Sequence, residues 1–187
     1  MRSMRRLMTV ALTLSAALAA AAAPGPATAG GTVTAGSGGS ITGVSTMAAV
    51  TMVGVTIRNR NSGSCVNGPG ADGGVVMQVG CGIAWGNRTW NVTPVMNRPG
   101  LFEITNTVTG RCLEIAGWST ADGAAAVTFG CHHGTNQRWW VTRRGDGYYE
   151  IRNESGGRCL DARTTRDWIG LYQWGCHGGG EQQWAIY

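Results

Sequence analysis

The sequence predicts an all-β fold in which three copies of one unit close about a pseudo-threefold axis, each copy holding one disulfide. Three observations carry this. First, 55–67 (VTIRNRNSGSCVN), 102–114 (FEITNTVTGRCLE) and 149–161 (YEIRNESGGRCLD) align without gaps, and fixed-period self-similarity sets an architecture before any local detail does. Ile57, Ile104 and Ile151 stand 47 residues apart, as do Asn59, Asn106 and Asn153, Gly63, Gly110 and Gly157, and Cys65, Cys112 and Cys159. Second, every copy then reaches another cysteine (Cys81, Cys131, Cys176) and, 9, 8 and 8 residues later, a tryptophan (Trp90, Trp139, Trp184). Third, no segment sustains a 3.6-residue period, and 31 glycines oppose long helices.

The chain of 187 residues begins with Arg2, Arg5 and Arg6, an apolar run over 7–23, and Ala27-Thr28-Ala29. That is the form of a secretory signal peptide with an A-x-A cleavage site, so 1–29 is assigned as leader. The apolar run is Ala-rich and ends in Pro24 and Pro26, which sets it apart from a membrane span. Residues 30–49 are Gly/Ser/Thr-rich, without aromatic or charged residues, and read as a flexible linker. The domain is expected over 50–187, with repeats at about 50–97, 98–145 and 146–187. An extracellular location follows from the leader.

The formal charge of +5 includes the three leader arginines, so the remainder carries +2, and there is no lysine. A balanced surface without a basic patch argues against nucleic-acid binding. Six cysteines, two per repeat, in an exported chain imply disulfides. Of the pairings six cysteines allow, the repeat selects Cys65–Cys81, Cys112–Cys131 and Cys159–Cys176. Cys131-His132-His133 and Cys176-His177 place metal-ligating residue types side by side, but there is no C-x-x-C and oxidised thiols do not ligate; no metal or cofactor is expected.

Within a repeat, V-T-I-R, F-E-I-T and Y-E-I-R alternate apolar and polar residues as half-buried strands do. Asn61-Ser62-Gly63, Thr109-Gly110 and Ser155-Gly156-Gly157 are turn signals, and Asp72-Gly73 and Asp122-Gly123 mark hairpins. A second run (75–79, 125–129, 169–174) precedes each second cysteine and a third starts at each tryptophan, giving about four short strands per repeat. One repeat cannot bury its apolar face alone. A propeller needs typically four or more blades, so three units are expected to close as a β-trefoil: a six-stranded barrel capped by three hairpins. Its core is expected from the Ile, Phe and Tyr positions and the three tryptophans.

Cys-Leu-Asp, an aromatic two before the second cysteine, and Gln-x-Trp resemble the ricin B-chain-type β-trefoil lectins, including carbohydrate-binding modules of secreted glycosidases. The resemblance covers about 50–187 and implies a monomeric, non-catalytic, secreted protein whose partners are glycans or polysaccharide. A sugar asks for a carboxylate to accept hydroxyl hydrogen bonds, an aromatic ring for its apolar face and a few further polar groups. The third repeat supplies Asp161 as acceptor, Trp174 for stacking, His177 as a polar contact, Glu181 where the family usually has Asn, and Gln182 to orient Asp161. The second offers a weaker set: Glu114, Phe129, His132, Asn136 and Gln137. Glu114 is one methylene longer than Asp, which is expected to push a sugar outward or spoil the bidentate contact. The first, with Asn67, Val79 and Arg88 at these positions and an extra residue near Trp85, reads as structural. Trp118 and Trp168 fall in hairpin loops, where they either widen the binding platforms or only pack locally.

Two other functions fit the fold. A protein-binding β-trefoil, such as a protease inhibitor, is the alternative, since trefoils carry unrelated functions. A glycosidase needs two carboxylates about 5–10 Å apart. Asp161 and Glu181 flank one pocket, but a small domain with a shallow, wet site is expected not to be an enzyme. Asn87-Arg88-Thr89, Asn91-Val92-Thr93 and Asn153-Glu154-Ser155 have the form of N-glycosylation acceptors.

Overall fold

A computed structural model describes residues 50–83 and 86–187; the leader, the 30–49 segment and Trp85 lie outside the described residues. Six strands form the barrel: β1 (Met52–Asn59), β5 (Thr89–Pro94), β6 (Leu101–Asn106), β9 (Arg138–Arg143), β10 (Tyr149–Asn153) and β14 (Trp184–Ile186). They pair antiparallel in the ring β1–β5–β6–β9–β10–β14 and back to β1, so no barrel edge is left open. The cap is built from β2 (Cys65–Asn67), β3 (Gly74–Val75), β4 (Met77–Val79), β7 (Cys112–Ile115), β8 (Ala126–Phe129), β11 (Cys159–Asp161), β12 (Ile169–Gly170) and β13 (Tyr172–Trp174). Its hairpins β2–β4, β7–β8 and β11–β13 hold one disulfide each. The fold is a β-trefoil.

The second run of each repeat differs from a single strand. It breaks at Val76 and Leu171, and begins one residue late, at Ala126, in the second repeat. The cause is convergence on the pseudo-threefold axis. Val76 N–H donates to Ala126 O (2.9 Å), Ala126 N–H to Leu171 O (2.9 Å), and Leu171 N–H to Val76 O (2.8 Å). This ring of three backbone bonds joins all three repeats, and its side chains are fully buried. On either side of it the runs pair with their neighbours, β3 with β8, β4 with β12, and Ala125 with Tyr172.

The 47-residue text follows from what each position must do. Ile57, Ile104 and Ile151 fill the core together with Trp90, Trp139 and Trp184. Each indole N–H is buried and needs an acceptor. It finds the carbonyl of the residue just before the hairpin's carboxylate or its replacement: Val66 (3.0 Å), Leu113 (2.9 Å) and Leu160 (3.3 Å). Phe102 is buried as expected, whereas Tyr149 is only partly buried against the core.

Asn59, Asn106 and Asn153 are buried, and each amide reaches a carbonyl of the preceding repeat in the ring. Their Oδ1 atoms accept from the following turn, as Asn side chains do. Asn153 therefore serves the fold rather than glycosylation. Gly63, Gly110 and Gly157 end those turns at φ 71°, 67° and 63°, in the left-handed region that favours glycine. Among the described residues no helix is long and apolar enough to cross a membrane.

Candidate functional site

In the third repeat, β11 presents Asp161 at the start of a hairpin, β13 presents Trp174 at its return, and the segment after Cys176 carries His177 and a short 3-10 turn, η3 (Gly180–Gln182). Together they line an open cavity of about 190 Å³ whose walls are Asp161, Arg163, Trp174, His177 and Glu181. Four of the five residues expected there line it. Gln182, the fifth, lies beneath and is fully buried.

Gln182 organises the site. Its Nε2 donates to Asp161 Oδ2 (2.8 Å) and to Gly175 O (3.0 Å), while its Oε1 accepts the N–H groups of His177 (2.9 Å) and Gly178 (3.3 Å). One amide thus sets both the carboxylate and the loop carrying the histidine. Asp161 Oδ1 accepts the N–H of Arg163 at 2.6 Å. Its side chain is 2% exposed, so its oxygens are held in place and presented only through the cavity. His177 Nδ1 accepts from Gly179 N–H (3.2 Å), which turns Nε2 inward, 3.6 Å from Asp161 and 3.8 Å from Glu181.

The same scaffold recurs in the second repeat. Gln137 donates to Glu114 Oε2 (2.8 Å) and Gly130 O (3.0 Å) and accepts from His132 N–H (2.8 Å). The longer glutamate reaches His132 Nε2 at 3.1 Å. Phe129 meets the His132 ring edge-on with centroids 6.2 Å apart. Asn136 is not brought to this surface: it is buried in η2 (Thr135–Gln137), its Nδ2 donating to Ile115 O and its Oδ1 without a partner. Glu181, at the matching position, lines the third-repeat cavity.

In the first repeat Asn67 accepts the N–H of Asn87 at 2.8 Å, and Arg88 replaces the organising glutamine by donating to the carbonyls of Gly80, Cys81 and Ile83. The loop is anchored, with an amide in place of the carboxylate.

Two further residues shape these surfaces: Trp118 and Arg163. Trp118, in η1 (Ala116–Trp118), stacks on His132 with centroids 5.4 Å apart and lies against Gly134, where any Cβ would overlap its ring. Arg163 sets its guanidinium 4.4 Å over the Trp174 ring. Both follow the carboxylate within four residues, and both have positive φ (56° and 41°), unusual for such side chains. A non-glycine residue in a turn directly after the carboxylate was the available signal, but it gives no direction.

The closed barrel and three-hairpin cap define a β-trefoil, with a cavity in its third repeat supported by the glutamine of Gln-x-Trp. The chain is similar to the ricin-type β-trefoil lectins: residues 86–168 match the family described as ricin-type beta-trefoil lectin domain-like. Among solved structures, the designed threefold-symmetric protein ThreeFoil matches with 27% identity and a TM-score of 0.66, over 71% of this chain and 96% of that one. An exo-beta-1,3-galactanase from Clostridium thermocellum matches with 28% identity and a TM-score of 0.66, over 72% of this chain, which spans 30% of the galactanase. A Polyporus squamosus lectin, solved with a sialylated glycan epitope, shares the fold with 17% identity and a TM-score of 0.60, over 72% of this chain and 48% of the lectin.

Proposed function

We propose that this is an exported, non-catalytic carbohydrate-binding protein whose working site is the third-repeat cavity, with glycans or polysaccharide as partner. The observation that carries the reading is Asp161 fixed by Gln182 at the floor of a cavity walled by Trp174 and His177. Sugar hydroxyls donate to the Asp161 oxygens, the apolar face of the ring lies on Trp174, and the inward Nε2 of His177 meets a further hydroxyl. Similarity to the ricin-type lectin family, and to part of a galactan-cleaving enzyme, supports carbohydrate as the ligand class. The open cavity suits binding, and the site is assigned no catalytic residue.

The second repeat is a weaker site at best, and the first, with Asn67 and Arg88 committed to backbone, is structural. The 1–29 leader directs export, and 30–49 links it to a monomeric domain. Glycan-array binding of the oxidised protein, beside Asp161→Ala and Glu114→Ala, tests this. Binding lost in Asp161→Ala and retained in Glu114→Ala is expected. A correctly disulfide-bonded protein that binds no glycan would refute it.

A further inference from the structure

The third-repeat cavity already holds a cation. The Arg163 guanidinium lies 4.4 Å over the Trp174 ring, where a ligand would stack, yet it makes no ion pair with either carboxylate lining the cavity. The Glu181 carboxylate accepts no hydrogen bond among the described residues; the His177 ring stands beside it, with Nε2 at 3.8 Å. Asp161 has used one site on each oxygen, for Gln182 and for the Arg163 N–H, and a carboxylate oxygen can accept more. The cavity therefore combines two under-used carboxylates with an aromatic face that a cation occupies.

Resting on the lectin reading above, we propose that this site selects a cationic sugar, a hexosamine unit with a free amine, and that Arg163 is its internal stand-in. A neutral sugar evicts the guanidinium from Trp174 and brings no positive charge to Glu181. A protonated amino sugar replaces it charge for charge. Its ammonium meets Glu181 and Asp161 while its apolar face takes the ring, joining charge-assisted hydrogen bonds to apolar stacking on the indole. The neighbouring arginines are drawn toward other carboxylates: Arg158 to Asp122 at 2.9 Å, and Arg144 to Asp146 at 3.8 Å, an aspartate it shares with Arg60. The preference belongs to the third repeat alone. In the second, Asn136 is buried and Glu114 is engaged by both His132 and Gln137.

Calorimetry on the oxidised protein would compare glucosamine oligomers with N-acetylglucosamine and glucuronic acid oligomers of equal length, at low and high sodium chloride. The free amine is expected to bind about tenfold tighter than its acetylated counterpart at low salt, with the margin shrinking as salt rises. Glu181→Gln brings that ratio toward one. Arg163→Ala strengthens amino-sugar binding by a few fold, since competitor and repulsion leave together. Equal or better binding of the acetylated oligomer, abolished by Asp161→Ala, would overturn the cation preference and leave the lectin reading standing. Preference for the glucuronic acid oligomer, weakened in Arg163→Ala, would overturn it too, by making Arg163 an anion receptor. A folded protein that binds none of the oligomers would overturn both readings.

Discussion

The second and third repeats begin from nearly the same text and end as different surfaces. In both, a buried glutamine fixes a carboxylate and the backbone of the following loop, with distances that agree within about 0.1 Å. Above that shared floor they diverge. One extra methylene carries Glu114 to 3.1 Å from its histidine, where Asp161 stays 3.6 Å away. The loop beyond sets a tryptophan over the histidine in the second repeat and an arginine over the aromatic in the third. A rigid indole stacked on an imidazole is a permanent roof. A guanidinium on an exposed, flexible stem can be displaced. The repeat conserves the machinery that positions a site and varies the few atoms that decide whether the site is open.

The comparison breaks most readily at the carboxylates. Asp161→Asn keeps the shape but loses charge-assisted acceptance, worth about 1.5–3 kcal/mol per hydrogen bond, so affinity for the best glycan should fall by roughly 10- to 100-fold. Glu114→Gln should change it less than about twofold. Titration calorimetry of both decides; equal losses would mean that both repeats bind. The aromatics give a smaller contrast. Trp174→Ala should weaken binding about tenfold, corresponding to about 1.4 kcal/mol, while Phe129→Ala leaves it within about twofold. Neither should shift thermal unfolding much, because both side chains are partly exposed. Trp184→Ala serves as the opposite control: a fully buried indole whose loss costs about 3–5 kcal/mol of stability, read in denaturant unfolding.

The fold was legible because its rules are local and repeated three times. A core tryptophan whose N–H needs a hairpin carbonyl, a buried Asn that ties one repeat to the next, and a glycine at positive φ each fix a residue type at a fixed spacing. What the sequence left out was the ring at Val76, Ala126 and Leu171, since a strand broken by convergence on an axis looks like a continuous apolar run. The site was legible in its floor for the same reason. Its roof was not. Arg163 and Trp118 stand outside the shared 13-residue text, and their directions depend on turns with unusual backbone angles. Asn136 illustrates the converse. Its position in the motif matches Glu181, yet the shorter amide finds Ile115 O inside the fold and stays buried.

The smallest effect tests whether the roof alone separates the two repeats. Trp118 is 53% exposed, so Trp118→Ala should cost little stability. It removes the stacking partner of His132 and clears the space above Gly134, leaving Glu114, His132 and Phe129 accessible around a carboxylate that Gln137 still positions. A second, weak site should then appear. On a monomeric sugar it would show as a rise in calorimetric stoichiometry from one toward two. On a polymer it would show as a gain in apparent affinity of several fold or more, because the second contact is made at high effective concentration once the first has formed. If the stoichiometry stays at one, the roof is not what closes the second repeat. The reach of Glu114 to His132 is then the remaining cause, and Glu114→Asp combined with Trp118→Ala should open the site where the single change did not.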